Sequence, residues 1–187
     1  MNFKNRFFAM TPTVLVLVLL GCNLGSRLSG GGSDYTNAAD KFAIAFPGGS
    51  AGVETGTEDA KFATSMRKYE KNFDNRSDNY RSYEVMVAEI GDYVVSGKDQ
   101  REILEIGLNG WAKDPDTVVK DVTINGHKAI DSVRTIEIGP AKMTFREAVV
   151  WSEKEKKMYI LRVAAVKKEN VSAKEADDFV NSLKLSS

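Results

Sequence analysis

The sequence predicts an α+β domain built on an antiparallel sheet of about six or seven strands flanked by helices. Three observations predict it. Met158-Tyr-Ile-Leu-Arg-Val-Ala-Ala-Val166 is apolar on both sides of an extended chain, so the sheet holding it must be covered above and below. Asn125-Gly126 separates two extended runs, and both residues tolerate the positive φ that a two-residue hairpin turn requires. Two stretches of helical spacing, near 99–113 and 172–184, come from different places in the chain and can cover the two faces.

Taken in order, Asp40–Phe46 places Phe42, Ile44 and Phe46 on one face and stops at Pro47-Gly48-Gly49, a strand and turn. Phe62–Tyr69 and Tyr80–Ile90 form a hairpin around the polar loop Asn72–Asn79. In its second strand Tyr83, Val85 and Val87 face one way, and Met86, Ala88 and Ile90 the other. Asp99–Lys113 reads as a helix capped by Asp99, with Glu102 at the capping-box position and Leu104, Leu108 and Trp111 as its buried stripe. Gly107 and Gly110 each weaken that helix by about 1 kcal/mol relative to Ala but allow close approach to a sheet. Asp114-Pro115 ends it.

Thr117–Ile124, His127–Ile138, Lys142–Trp151 and Met158–Lys167 then form a meander, turning at Asn125-Gly126, Gly139-Pro140 and the charged segment Ser152–Lys157. Ser172-Ala-Lys-Glu175 has the spacing of a capping box, and Ala173, Ala176, Phe179, Val180 and Leu183 give the last helix its buried face. No internal repeat is present, and the span 37–187 fits one domain.

The N-terminus has a separate logic. Lys4 and Arg6 precede an unbroken apolar run, Val14–Leu20, in the pattern of an export signal over residues 1–21. The run is too short to span a bilayer, which takes roughly 20 apolar residues. It ends in Leu19-Leu20-Gly21-Cys22, which resembles the lipobox of bacterial lipoproteins. That resemblance implies cleavage before Cys22, a diacylglyceryl group on its thiol and an acyl chain such as palmitate on its new amine. Two or more chains hold a protein on a membrane where one does not. Residues 22–36 then read as the lipidated Cys and a flexible Gly/Ser tether, on the order of 20 Å from end to end. Cleavage removes Lys4 and Arg6 and no acid, which takes a neutral chain to a formal charge of −2, so the folded part is not expected to lean on anionic lipid. Asn23 is not the Asp that commonly holds exported lipoproteins in the inner membrane. The implied address is therefore the outer membrane, facing the periplasm, in a cell that has one.

Composition narrows the chemistry. Twenty-six Lys and Arg balance twenty-six Asp and Glu, without the basic excess of a nucleic-acid binder. A single Cys excludes internal disulfides and thiolate metal cages, and a single His excludes a site with two imidazoles. No catalytic residues, cofactor or metal site are expected. His127, with Asp131 further along the strand, has no Ser or Cys nucleophile to place beside it and reads as an exposed hairpin residue. Asp74-Asn75-Arg76-Ser77-Asp78-Asn79 is oxygen-rich, but Arg76 takes a ligand position and no distal Glu follows, so it reads as a solvated hairpin tip. Arg146, Glu147 and Arg162 interrupt apolar runs and read as cross-strand ion pairs on a partly exposed face. Lys154–Lys157 reads as a wet turn, and Trp111 and Trp151 as packing residues. Asn75-Arg-Ser77 and Asn170-Val-Ser172 match a glycosylation pattern that has little weight in bacteria.

The Phe42-x-Ile44-x-Phe46-Pro47-Gly48 start, the hairpin and helix, Asn125-Gly126-His127, the meander, and the ending Ala176-x-x-Phe179-Val180-x-Ser182-Leu183-Lys184 resemble the PsbP-like group. This group includes the extrinsic photosystem subunit PsbP, bacterial lipoproteins of the DcrB type and a eukaryotic Ran-binding protein. The resemblance covers most of residues 40–185 and is specific at its two ends. It implies an α/β/α sandwich and a role in binding or supporting other proteins, with no catalytic set to carry over. The metal-site histidine pattern of some photosynthetic members is missing. The expected function is that of a membrane-anchored, non-enzymatic envelope lipoprotein with a protein partner. Two alternatives stand beside it: a binder of a small apolar ligand between helix 99–113 and the sheet, and a hydrolase using carboxylates such as Glu147.

Overall fold

The computed structural model describes residues 34–75, 78–108, 116–138 and 141–186. The predicted signal, Cys22, most of the tether, Arg76, Gly110 and Trp111 lie outside them. In chain order the elements are β1 (Tyr35–Asn37), β2 (Phe42–Ile44), β3 (Glu54–Thr57), β4 (Ser65–Phe73), β5 (Arg81–Glu89), α1 (Asp92–Val95), α2 (Gln100–Gly107), β6 (Val118–Ile124), β7 (His127–Ile138), β8 (Ala141–Ser152), β9 (Lys157–Ala165), a 3-10 turn (Lys168–Ser172), α3 (Lys174–Asn181) and β10 (Lys184–Leu185). Seven of the strands make one antiparallel sheet in the order β3-β4-β5-β9-β8-β7-β6, with the predicted meander as its larger half. Asn125 and Gly126 carry φ of 46° and 84°, the two positive values their hairpin needs.

The central strands are buried on both faces, which gives the domain two cores. On one face Tyr83, Val85 and Val87 of β5 join Tyr159, Leu161 and Val163 of β9 and pack against α3 through Ala176, Phe179 and Val180. On the other face Met86, Ala88, Met158, Ile160 and Val149 pack against Ile103, Leu104 and Leu108 at α2. The helices thus sit on opposite faces, as an α/β/α arrangement requires.

Four details differ from the sequence reading. The predicted strand Asp40–Phe46 shortens to Phe42–Ile44 and leaves the main sheet for a small one, β1-β2-β10, in which Phe42 pairs with both Asn37 and Leu185. Pairing begins at Tyr35, inside the segment read as tether. β3 and α1 have no apolar pattern and were not expected. The Ser172–Glu175 capping box does not form. Ser172 Oγ donates instead to the Glu169 carbonyl at 3.3 Å, and the Glu175 carboxylate accepts from Tyr83 at 2.9 Å and Arg81 at 3.0 Å. Glu175 is worth more as a clasp between α3 and the sheet than as a local cap. The Asp99 capping box does form, with both of its hydrogen bonds present.

Gly107 shows how tightly α2 lies on the sheet. A Cβ at this position would come within 2.6 Å of both Met158 Sδ and Val149 Cγ1. Helix propensity alone favours Gly107→Ala by about 1 kcal/mol. Overpacking costs about 1–3 kcal/mol, so the substitution is expected to destabilise the domain on balance. A urea midpoint equal to or above that of the parent would show that the helix has slack.

Candidate functional site

Three clusters of charged side chains organise the domain. The first is built around Asp40, which is fully buried. Its N–H donates to Asn37 Oδ1 at 2.8 Å, and Lys41 follows with φ 55°, a turn that drives the carboxylate inward. Arg67 on β4 donates to that carboxylate from Nε at 2.8 Å and from a terminal nitrogen at 2.5 Å. The Tyr69 hydroxyl donates to Oδ2, and Lys157 Nζ, 3.1 Å from Oδ1, completes the set. The Asp40 carbonyl accepts from Tyr159 at 2.9 Å, and Lys157 also reaches the Ala39 carbonyl at 2.9 Å. Burial alone would raise the Asp40 pKa. The hydrogen bonds from Arg67, Tyr69 and Lys157 outweigh it and hold the group at about 2. Burial and the Asp40 charge push Tyr159 up to about 12. The cluster fastens the N-terminal strands to the main sheet, helped by Tyr35 packing on Phe42, Phe46 and Tyr69.

The second cluster crosses the α2 face of the sheet as alternating charges: Glu84 on β5, Arg162 on β9, Glu147 on β8 and Arg134 on β7. Arg162 donates to Glu147 at 2.8 Å and to Glu84 at 3.3 Å, and Arg134 lies 3.5 Å from Glu147. Both guanidiniums stand over the Phe145 ring, at 5.0 Å for Arg134 and 6.0 Å for Arg162. Burial raises the Glu84 pKa against the pull of Arg162. In Arg162 burial acts to lower the pKa, and the charges of Glu147 and Glu84 win and raise it. The two shifts differ because Arg162 gives its closer contact to Glu147. The third cluster lies on the opposite face. There Arg146 grips Asp131 at 2.8 Å and Asp177 of α3 at 2.5 Å, pinning the helix to the sheet.

These contacts revise several expectations. Glu147 is buried rather than on a partly exposed face, and Arg146, its neighbour in sequence, points to the other side. Lys157 is no part of a wet turn; it shares the strand face of Tyr159 and Leu161 and is buried against Asp40. The Asp131 carboxylate is committed to Arg146, so it does not orient His127. Asn79 accepts from Lys167 at 2.5 Å at the end of the loop read as a hairpin tip. Trp151 packs in the α2 core. Sequence reading missed the Asp40 cluster altogether, although the two-residue period of β9 already puts Lys157 on a buried face.

At Gly107 the packing of α2 on Met158 and Val149 leaves no room for even a methyl group. Towards the N-terminal end of the helix a cleft of about 630 Å³ opens between α2, through Gln100, Arg101 and Leu104, and Thr123 and Lys128 of the β6–β7 hairpin, with Arg101 and Asp121 paired at its edge. Among the described residues no group of three or more His, Cys, Asp or Glu is placed to hold a metal ion, and no helix is long and apolar enough to cross a membrane.

This architecture is similar to that of cyanobacterial PsbP (CyanoP) from Synechocystis, with a TM-score of 0.52 and 14% identity over 87% of this chain and 98% of that one. A Bacteroides thetaiotaomicron protein gives 0.51 and 9% identity, covering 83% of this chain and 49% of its own, so the chain spans about half the length of that protein. LpqN of Mycobacterium tuberculosis, involved in cell envelope biogenesis, gives 0.48 and 10% identity, covering 78% and 83%. No protein-family model and no curated protein matches the chain. The domain has a PsbP-like α+β fold, and at these identities the likeness extends to the fold alone.

Proposed function

We propose that the chain is a lipid-anchored lipoprotein of a bacterial cell envelope, whose domain is a non-enzymatic accessory module that binds another protein. The observation that carries this reading is Leu19-Leu20-Gly21-Cys22, placed at the end of an apolar run too short to span a bilayer and followed by a Gly/Ser tether. The buried ionisable side chains favour binding over catalysis. Asp40, Glu147 and Lys157 are each buried and closed into ion pairs with other side chains of the domain. The resemblance to DcrB-type lipoproteins agrees with the combination of anchor and fold. In a cell with two membranes the domain would face the periplasm from the outer one.

Membrane fractionation tests the reading. The wild-type chain is expected in the membrane pellet, and Cys22→Ser in the soluble fraction with its domain still folded. Retention of Cys22→Ser in the pellet would overturn the anchor assignment.

A further inference from the structure

Among the described residues the main sheet ends on β6, with no further strand on its outer side. Among the described residues β6 pairs only with β7, and no other backbone hydrogen bond satisfies its outward N–H and C=O groups. Seven residues long, it is the longer of the two edges; the other, β3, has four. Val118 is 58% exposed on it. Such an edge is a template for an added strand.

Two clefts adjoin this edge on opposite faces of the sheet. One is the cleft of about 630 Å³ beside α2, bordered by Thr123 and Lys128. The other, about 490 Å³, is bordered by Val118, Val133, Lys142 and Lys168. Side chains of an added strand alternate between faces, so its successive residues would enter different clefts.

The charges select the kind of strand. Lys120 on β6, Lys128 on β7 and Lys168 in the 3-10 turn make no ion pair among the described residues. Among the acids near them, Asp121 pairs with Arg101, Glu137 with Lys142, and Asp131, which lies opposite Lys120, with Arg146, while Asp116 lines the second cleft beside Lys168. Lys120 and Lys128, on opposite faces of the β6–β7 hairpin, therefore give both sides of this edge an exposed positive charge.

We propose that β6 is the docking edge, and that its occupant is an acidic, extended segment of a partner protein that adds as an eighth strand. This rests on the protein-binding reading above and names the partner's chemistry. The test uses the full-length chain in detergent and two end-blocked fluorescent heptapeptides, one of glutamate and valine and the other of lysine and valine. The acidic peptide should bind at least about tenfold more tightly, with weakening as salt rises. Amide shifts should concentrate in 118–124, and the exposed double variant Lys120→Glu, Lys128→Glu should reverse the preference. Equal binding of both peptides, no binding, shifts centred on β3, or self-association of the chain through β6 would each overturn the proposal. The titration is independent of lipidation, so its failure leaves the Cys22 assignment standing, and failure of that assignment leaves the titration informative.

Discussion

Asp40→Ala is expected to destabilise the domain by about 3–5 kcal/mol, the cost of removing one partner from a buried ion cluster. Lys157 is itself nearly buried and would keep only the Ala39 carbonyl. Arg67 retains Glu89 at 2.7 Å on a more open surface, so the penalty falls mainly on Lys157 and Tyr69. The pH dependence has a definite sign. The folded-state pKa of Asp40 lies near 2, below the ordinary 3.8, so its stabilisation is fully present above about pH 4 and is lost as the pH falls towards 2. A shift of that size corresponds to about 2 kcal/mol. Urea unfolding at pH 7 and near pH 2 should therefore show a large deficit for Asp40→Ala at neutral pH that narrows in acid. A deficit unchanged by pH would mean that the carboxylate charge is not what holds the cluster together.

Glu147→Ala should cost a similar amount, again about 3–5 kcal/mol, because it removes the acid that Arg134 and Arg162 share and leaves Arg162 its longer contact to Glu84. Glu84→Gln should be far milder, since burial raises the Glu84 pKa and so already disfavours its charged form, and its contact to Arg162 is the longer one. Exchanging Glu84, Arg134, Glu147 and Arg162 together for apolar residues of similar size should recover most of the loss. Chemical denaturation of the single and quadruple variants measures the contrast. Equal losses for Glu84→Gln and Glu147→Ala would show that the charge row does not work as an alternating unit.

Much of the frame was legible because it is local. The two-faced burial of β5, the Asn125-Gly126 turn and the Asp99 box follow from period and turn chemistry within a few residues of each other. What escaped depends on distant partners. β2 looked like a strand of the main sheet, but its neighbour is Leu185 at the other end of the chain. Glu175 sat at a capping position and was claimed by Tyr83. β3, Glu-Thr-Gly-Thr, carries no hydrophobic signal and exists because β4 offers it an edge. For the charged clusters the signal was parity: Arg67, Tyr69 and Lys157 all fall on the strand face that the sequence marks as buried.

The most direct measurement on the proposed function is the mass of the N-terminal peptide from protein isolated out of a native membrane. The account predicts a chain that begins at Cys22 and carries a diacylglyceryl thioether and an amide-linked acyl chain. A chain that begins elsewhere, or a Cys22 with an unmodified thiol, would contradict it.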